Sequence, residues 1–463
     1  MTGKQNKDKK VAIKSKAKSC KTKPITSLQT IRDDVAGIDL GSESHFVAAS
    51  EKPGEVTTRE FGIYTPDLEE LANWLKQCGV KAVAMESTGV YWMHIYDFLD
   101  QKGFKVDLID AHKTKNVNGK KTDVKDAEWI RQLYSYGLLE GSFIPETATL
   151  ELRTYLRVRE QIVQEAARCI QRMQKALIRM NIRIDKTLSD ICGETGLRII
   201  NAILEGERDP KKLAKLRDGR CKKSVEEIEA SLMGNYLPDQ LFLLKMQMDL
   251  YKYLKEDISK CDVRIFETLS SFEDKMTETE SHQKKSSGAK QDFPFDLQLM
   301  LIQKTGVDLT ELPGVGVLSA LKILSETGFD MSKWKTAKHF ASWLGLSPNN
   351  KKSGGKTLRS STKKCKNRAS IVFRMSVNSL YREVNNTAIG CFTRRKKIQI
   401  GKSQGITAGA HKLAKAFYNS LVNKKTFVEP GVDAYTSQQE KNYLKRARRK
   451  LQKMGFEIQP KAA

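Results

Sequence analysis

The sequence lacks the residue patterns of several protein classes. Its eight cysteines are scattered singly, with no C-x-x-C pair and no matching histidine spacing, which argues against a structural zinc site or a disulfide framework. No segment offers the roughly 18 consecutive apolar residues that a spanning helix needs. The lysine-rich start lacks the apolar centre of a secretory signal. We therefore expect a cytoplasmic protein with reduced cysteines and no membrane partner.

Acidic residues are the minority among the charged side chains. The 463 residues include 81 Lys+Arg and 55 Asp+Glu, giving a formal charge of +26 and a pI near 9.6. This excess predicts a polyanionic partner, because each lysine or arginine placed on a phosphate releases condensed counterions. Nucleic acid is the first candidate. A chain of this length is expected to form two or three domains.

Residues 34–149 have the pattern of a mixed α/β sheet. VAGIDL and HFVAAS predict two strands joined by a turn at 41–44, and a third strand is expected near 57–61. A helix is predicted from Thr65-Pro66-Asp67 to about Gln77. The strand KAVAMES, a helix at 91–101, the strand KVDLID and a helix at 122–137 follow. The predicted order is three strands, helix, strand, helix, strand, helix.

Beyond residue 150 the apolar spacing changes to alternate steps of three and four, which predicts two long helices. The first helix has the apolar series Leu152, Leu156, Val163, Ala166, Ile170, Met173, Leu177, Met180 and Ile184, interrupted by Arg159. The second has Leu241, Leu244, Met248, Tyr251, Ile258 and Ile265, interrupted by Lys255 and Asp262. Two interpretations stay open, pairing within one chain and pairing between chains.

Four carboxylates stand where a sheet edge and a helix start would bring them together. Asp39 lies within the first strand, Glu86 ends the KAVAM strand, and Asp123 and Asp126 share one face at a helix start. Oxygen ligands of this kind suit Mg²⁺ or Mn²⁺. Each acid also has another interpretation: GIDLGS is similar to the phosphate loop of sugar kinases, Glu86 is placed to cap a turn, and the Asp pair suits a helix dipole.

The order of these acids resembles the resolvase-like DEDD domain, of ribonuclease-H-like fold, that opens one family of insertion-sequence transposases. GIDLGSESHFVA, MESTGVYW and DVKDAEWI stand where that family carries its first aspartate, its glutamate and its closing aspartate pair. The resemblance therefore implies catalytic and metal-binding roles for Asp39, Glu86, Asp123 and Asp126. It covers residues 35–139.

The segment KKSGGKTLRSSTKKCKNRAS, residues 351–370, has three competing interpretations: a nucleotide-binding loop, a nonspecific basic loop and a nucleophile site. A Walker motif needs a glycine five residues before Gly355, and that position is Asn350, so we infer no ATP site. Upstream, LPGVG between helical patterns resembles a helix-hairpin-helix element. Its Gly314 and Gly316 would let backbone amides approach a DNA phosphate.

The C-terminal resemblance is to the same family, the insertion sequence one-hundred-ten group, known as bridge-RNA-guided recombinases. That family has a helix-hairpin-helix-like start, a GL-x-P segment, and a serine before paired glycines, which aligns with Ser353. The resemblance implies that Ser353 attacks a DNA phosphodiester and becomes linked to the strand while the carboxylates hold Mg²⁺. It also implies a noncoding guide RNA and dimers that pair into tetramers.

The chemistry of Ser353 suits this role. A serine hydroxyl is a weak nucleophile until a base or a metal activates it. No histidine lies close to Ser353 in the sequence, so a hydrolase triad is not predicted. Family members usually carry a glycine where this chain has Lys366, directly before Asn367. Ser360, Ser361 and Ser370 are rival candidates for the nucleophile. The glycines and basic residues expected to bind nucleic acid are Gly314, Gly316, Lys351, Lys352, Gly354, Gly355, Lys356, Arg359, Lys363, Lys364, Lys366 and Arg368.

The leading hypothesis is a site-specific DNA recombinase of an insertion sequence, associated with the bacterial or archaeal nucleoid. The alternatives are a metal-dependent junction nuclease that uses activated water and a non-enzymatic nucleic-acid-binding protein. Near the end, a basic helix with Leu444, Leu451 and Met454 on one face is interpreted either as a nucleic-acid contact or as a solvated helix. The expected segments are a basic disordered arm (1–33), a ribonuclease-H-like DEDD domain (34–149), a helical coiled-coil region (150–270), a polar linker or insertion (271–298), a mainly α serine transposase domain (299–428) and a basic C-terminal extension (429–463).

Overall fold

The computed structural model describes residues 31–52, 55–87, 89–110, 123–276, 293–363, 365, 367–382 and 387–455. These residues fall into two compact units, divided between Ile144 and Pro145. Most of the predicted N-terminal arm, most of the predicted linker, and Lys364 and Lys366 lie outside the described residues. Among those described, no helix is both long and apolar enough to cross a bilayer.

The first unit is a mixed α/β sheet, as predicted. Its elements are β1 (Val35–Leu40), β2 (His45–Lys52), β3 (Glu55–Phe61), α1 (Thr65–Gln77), β4 (Ala82–Glu86), α2 (Trp92–Gln101), β5 (Lys105–Ile109) and α3 (Asp123–Ser135). The sheet order is β3-β2-β1-β4-β5. The first three strands are antiparallel neighbours, and β1, β4 and β5 run parallel. Helix α1 begins one residue after Tyr64, whose backbone N–H donates to the Asp67 carboxylate at 3.0 Å.

Helices cover both faces of this sheet, because alternate residues of each strand point to opposite sides. Ala36, Ile38 and Leu40 are buried in the core that includes residues of α1 and α2. Val35 is buried on the other face with Ile130 of α3. The central strand β1 is therefore enclosed on both sides, which explains its near-continuous apolar sequence.

The second unit is mostly helical, as predicted. Its elements are α4 (Thr147–Arg179), α5 (Ile184–Thr187), α6 (Glu194–Leu204), α7 (Pro210–Ala214), α8 (Val225–Ser231), α9 (Pro238–Ser271), α10 (Leu297–Thr305), a 3₁₀ turn (Leu309–Glu311), α11 (Val317–Thr327), α12 (Ala337–Trp343), β6 (Lys351–Ser353), β7 (Lys356–Arg359), α13 (Arg368–Arg382), α14 (Ala388–Ile400), α15 (Lys402–Asn423) and α16 (Gly431–Lys453).

The two long helices α4 and α9 pack against each other within the chain. Leu152, Leu156 and Met173 are buried as their spacing predicts, whereas Val163 is 41% exposed, so its predicted place in the contact is wrong. Two of the three polar interruptions, Arg159 and Asp262, form an ion pair with each other. Arg159 Nε donates to Asp262 Oδ1 at 2.5 Å, and both side chains are buried.

Candidate functional site

Asp39 and Glu86 lie side by side at one edge of the sheet. Strands β1 and β4 pair in parallel with Ile38 opposite Met85. The next position on each strand is Asp39 and Glu86, so both side chains leave the same face of the sheet on strands about 4.8 Å apart. Both residues are partly exposed. Two of the four predicted acids are thus brought together by strand register.

That face of the sheet is the one covered by α3. Val35, near the start of β1, packs with Ile130 and Leu133 of α3. Further along β1, a Cβ placed on Gly37 would overlap the backbone nitrogen of Arg131 and lie 2.5 Å from the Ala127 carbonyl oxygen. Later residues of the strand therefore meet earlier residues of the helix. Helix α3 therefore runs antiparallel to β1, and its first turn lies toward Asp39.

The Asp123 and Asp126 pair occupies that first turn. Asp126 is partly exposed, and the backbone of Asp123 begins the helix, although the side chain of Asp123 lies outside the described part of the structure. Gly37 permits the close approach, because any side chain there would push the helix away. The Arg131 guanidinium also donates to Ser50 Oγ on β2, which fastens the helix to the sheet.

The donor set matches a hard divalent cation in its chemistry, since such cations take carboxylate oxygens. Within the side chains that the structure describes, no three His, Cys, Asp or Glu residues form a group able to hold a metal ion. Asp123 is outside that statement. The fit therefore rests on the strand register of Asp39 and Glu86 and on the direction of α3.

One acid at this sheet edge was missed by the sequence interpretation. Asp110 directly follows β5, and β5 pairs with β4 so that Ile109 lies opposite Glu86. The signal was present, because KVDLID ends a buried strand on an acid, as KAVAME does. Asp110 is therefore the residue directly after the last ladder pair of β4 and β5.

Ser353 lies on a β-hairpin in the second unit. Strands β6 and β7 pair with Ser353 opposite Lys356, and the two residues between them have positive φ, +53° at Gly354 and +75° at Gly355. A two-residue loop of this kind is the hairpin turn that favours glycine at both positions. The lysine-rich loop of the sequence interpretation is therefore an ordered hairpin, and its glycines are required by the turn.

The hairpin presents its polar side chains to solvent. Ser353, Lys352 and Lys356 are exposed. The base of the hairpin is extended by a bridge between Pro348 and Thr362. Among the described residues, and leaving out the two chain neighbours, none comes within 4 Å of a Cβ added at either glycine, so the turn projects into open space. Lys351 and Arg359 lie opposite each other on its strands, and their side chains are not described.

The rival nucleophiles differ from Ser353 in exposure. Ser360 and Ser361 are exposed after β7. Ser370 is fully buried in α13, and its hydroxyl has no hydrogen-bond partner among the described residues. Burial removes Ser370 from contact with a DNA backbone, whereas the exposed serines keep that access.

The LPGVG segment forms a tight turn between the 3₁₀ turn and α11. The Val315 N–H donates to the Leu312 carbonyl at 3.0 Å, and Gly314 has φ +71°. Proline followed by a positive-φ glycine is the type II arrangement. A Cβ on Gly314 would lie 2.6 Å from the Ser376 carbonyl oxygen of α13, whereas one on Gly316, at the start of α11, would meet nothing within 4 Å.

Two predicted nucleic-acid contacts outside the hairpin are also placed. Lys363 is exposed. Arg368 begins α13, where its guanidinium lies 3.5 Å from the Glu160 carboxylate of α4. Glu160 also pairs with Lys322 of α11 at 2.6 Å. Arg368 is thus partly engaged within the protein, while the side chains of Lys352, Lys356 and Lys363 are exposed.

Two family models match the chain. Residues 36–182 match a model of DEDD transposases of the IS110 type, described as Transposase. Residues 308–382 match a second model, described as Transposase IS116/IS110/IS902 family. No curated protein matches the chain. The first match contains the four carboxylates, and the second contains LPGVG and the serine hairpin.

Proposed function

Because the chain belongs to the IS110 family of transposases, we propose that it cuts and rejoins DNA through a covalent link between Ser353 and the strand. A transposase or recombinase is an enzyme that transfers phosphodiester bonds. The proposal adds to that activity a nucleophile, a carboxylate site and an RNA guide. Each of these additions has its own support.

The carboxylate site is proposed to comprise Asp39, Glu86, Asp123 and Asp126 on a ribonuclease-H-like sheet. The observation that carries this assignment is the parallel register of β1 and β4, which sets Asp39 beside Glu86 on the face that α3 covers. When bound there, Mg²⁺ or Mn²⁺ would neutralise the phosphate and stabilise the leaving oxygen. The four side chains would hold the cation close to the bond that is cleaved.

Ser353 is proposed as the nucleophile. Its Oγ forms a bond to phosphorus as the bond from phosphorus to one deoxyribose oxygen breaks, and the serine proton ends on that oxygen as a free sugar hydroxyl. One phosphodiester is thus exchanged for another, so rejoining needs no ATP. The exposed position of Ser353 at the end of β6 supports access to a DNA backbone.

The residues around the nucleophile are proposed to hold the phosphates. Lys352 and Lys356 flank Ser353 on the hairpin and could balance the charge that develops on the phosphoryl oxygens. The turn at Gly314 and Gly316 is proposed to act as a helix-hairpin-helix element, with the amides at the start of α11 facing a phosphate. The open space around Gly316 supports that approach.

The guide RNA and the oligomer are proposed from the family resemblance. One serine cuts one strand, so exchange between two duplexes needs several subunits. The long helices α4 and α9, which already pair within the chain, could also supply contacts between subunits in a dimer or tetramer. The formal charge of +26 suits a protein that binds DNA and RNA together.

The experiment that tests this proposal compares three variants in a DNA cleavage assay with Mg²⁺, element-end DNA and co-purified RNA. We expect Ser353→Ala and Asp39→Asn each to lose on the order of 10³-fold in cleavage rate or more. Ser360→Ala, which changes an exposed serine of the same segment, should keep the rate of the unmodified protein. Continued cleavage by Ser353→Ala would point to a nuclease that uses water. Continued cleavage by Asp39→Asn would remove the carboxylate site.

A further inference from the structure

The last helix, α16, has a docked first part and an uncovered second part. The Glu429 carboxylate, just before α16, accepts from the Ala388 N–H at 2.7 Å and so caps α14. The Tyr435 ring lies 5.6 Å from the Arg395 guanidinium and 5.2 Å from Lys412 Nζ. The Gln439 side chain accepts a hydrogen bond from Arg395. These contacts hold α16 against α14 and α15 as far as Gln439.

From Glu440 to Lys453 the same helix is exposed, and we call this segment the basic arm. Only Ala447 is partly covered. The arm carries one glutamate and seven basic residues, namely Lys441, Lys445, Arg446, Arg448, Arg449, Lys450 and Lys453. All seven side chains are exposed. Both family matches end before the arm.

The basic arm is amphipathic as well as charged. At 3.6 residues per turn, one side of the arm and Met454 directly after it form what we call the apolar stripe: Tyr443, Leu444, Ala447, Leu451 and Met454. Tyr443 is 72%, Leu444 65% and Met454 63% exposed. A solvated helix has no need of such a stripe, because exposed apolar side chains grouped on one side indicate a contact surface.

The basic residues flank the apolar stripe on both sides. By the same spacing, Lys441, Lys445 and Arg448 lie along one side of it. Arg446, Lys450 and Lys453 lie along the other side. Arg449 is opposite the stripe. A helix that presents an apolar strip between two rows of cations fits a groove with an apolar floor and two anionic walls.

We propose that the basic arm lies in the major groove of duplex DNA. The B-DNA major groove is about 12 Å wide and admits an α-helix, with phosphates on both walls and thymine methyl groups on the floor. The major groove of A-form RNA is too narrow for a helix. Fourteen residues extend about 21 Å, or about six base pairs. The proposal rests on the DNA substrate of the proposed function and is independent of Ser353.

The test measures the affinity of the full chain for a duplex DNA probe at several salt concentrations. The triple variant Arg446→Gln, Arg448→Gln and Lys450→Gln should make the negative slope of log affinity against log salt shallower by about 2.7, because three phosphate contacts are lost. The matched control, Lys211→Gln, Lys215→Gln and Lys222→Gln, removes the same charge from exposed positions near α7 and should leave the slope unchanged. Equal loss in both variants would overturn the proposal.

Two further measurements distinguish DNA from other partners of the basic arm. Leu444→Ser with Leu451→Ser should weaken DNA binding severalfold without changing the salt slope, since these contacts release no counterions. A duplex RNA probe of the same sequence should show no effect of the triple variant. The proposal is wrong if the triple variant loses the same affinity for duplex RNA, or if anionic lipid vesicles bind the basic arm while DNA does not. It is also wrong if Leu444→Ser with Leu451→Ser changes only self-association.

The arm is exposed, so its substitutions should leave the fold intact. Should a variant nevertheless unfold, the chain truncated after Gln439 gives the second measurement, and it must show a reduced salt slope. Ser353→Ala should bind DNA with the full slope, and the triple variant should still form the serine link at low salt. Failure of the arm and failure of the nucleophile are therefore distinguishable.

Discussion

The two proposed catalytic elements, the carboxylate edge of the first unit and the serine hairpin of the second, are built in opposite ways. The carboxylate edge is set by a buried sheet: β1 is enclosed on both faces, and α3 lies so close that position 37 must be glycine. The serine hairpin is set by its own turn, with two positive-φ glycines where an added Cβ would meet no described atom within 4 Å. Burial fixes the first position, and local backbone conformation fixes the second.

This difference suits the chemistry that we propose. Carboxylates that hold a cation need fixed spacing, and residues on a packed sheet supply it. A nucleophile that becomes attached to a DNA strand must reach the strand and then move with it. A two-stranded hairpin that projects into solvent allows that motion more readily than a core strand. Substitutions at buried and at exposed positions measure how far burial and local conformation account for each part.

The largest effect is expected at a buried ion pair of the second unit, Arg159 with Asp262. Arg159→Met should lower the free energy of unfolding by about 3–5 kcal/mol, because it leaves Asp262 buried without its cation. The double variant Arg159→Met with Asp262→Leu should recover most of the loss. Urea unfolding monitored by circular dichroism measures both. A small effect of the single variant would show that burial does not decide this position.

The next effect is expected at the carboxylate edge. Gly37→Ala should lower the free energy of unfolding by about 3 kcal/mol, since its Cβ would overlap backbone atoms that cannot rotate away. Gly219→Ala is the matched control, because nothing lies within 4 Å of a Cβ there, and we expect a change within about 0.5 kcal/mol. If both variants melt alike, helix α3 does not depend on Gly37.

A smaller effect is expected at the hairpin. Gly355→Ala should cost about 1–2 kcal/mol locally, through the left-handed backbone conformation alone. Because the hairpin is exposed, we expect the melting of the whole protein to change little while cleavage falls. Amide hydrogen exchange on residues 351–359 should rise with melting unchanged. A loss of global stability would contradict the comparison.

The smallest effect is expected from His45, buried in the first unit. Its ring nitrogens have no hydrogen-bond partner among the described residues, and burial, then the nearby His94, lowers its pKa from 6.5. Below pH 6.5 the unfolded chain binds a proton at this histidine that the folded chain does not bind. The free energy of unfolding therefore falls as the pH falls from 6.5, by at most about 1.4 kcal/mol per pH unit.

His45→Phe removes this titration, so urea unfolding at pH 7.5 and 5.5 should differ less in the variant than in the unmodified protein. No such dependence is expected from the hairpin segment 351–359, which contains no histidine. If His45→Phe leaves the pH dependence unchanged, the buried ring does not control it.

The sequence predicts the sheet well because apolar runs and strand-end acids are local signals. The strands, the two helices that follow them and α3 lie where the patterns indicated. The pairing of Arg159 with Asp262 was not predictable, because each residue alone looks like an interruption and only the packing of α4 on α9 joins them. The hairpin was missed because all three interpretations of the segment around Gly354 and Gly355 assumed a loop, although paired glycines between short strands also indicate a turn.

The most direct test of the account is mass spectrometry of the protein after reaction with element-end DNA, Mg²⁺ and co-purified RNA. After the DNA is digested with nuclease and the protein with protease, we predict a peptide from residues 351–359 that carries a nucleotide esterified to Ser353. The Asp39→Asn protein should give no such modified peptide. A nucleotide on Ser360 or Ser361, or cleaved DNA with no modified peptide, would contradict the assignment of Ser353 as the nucleophile.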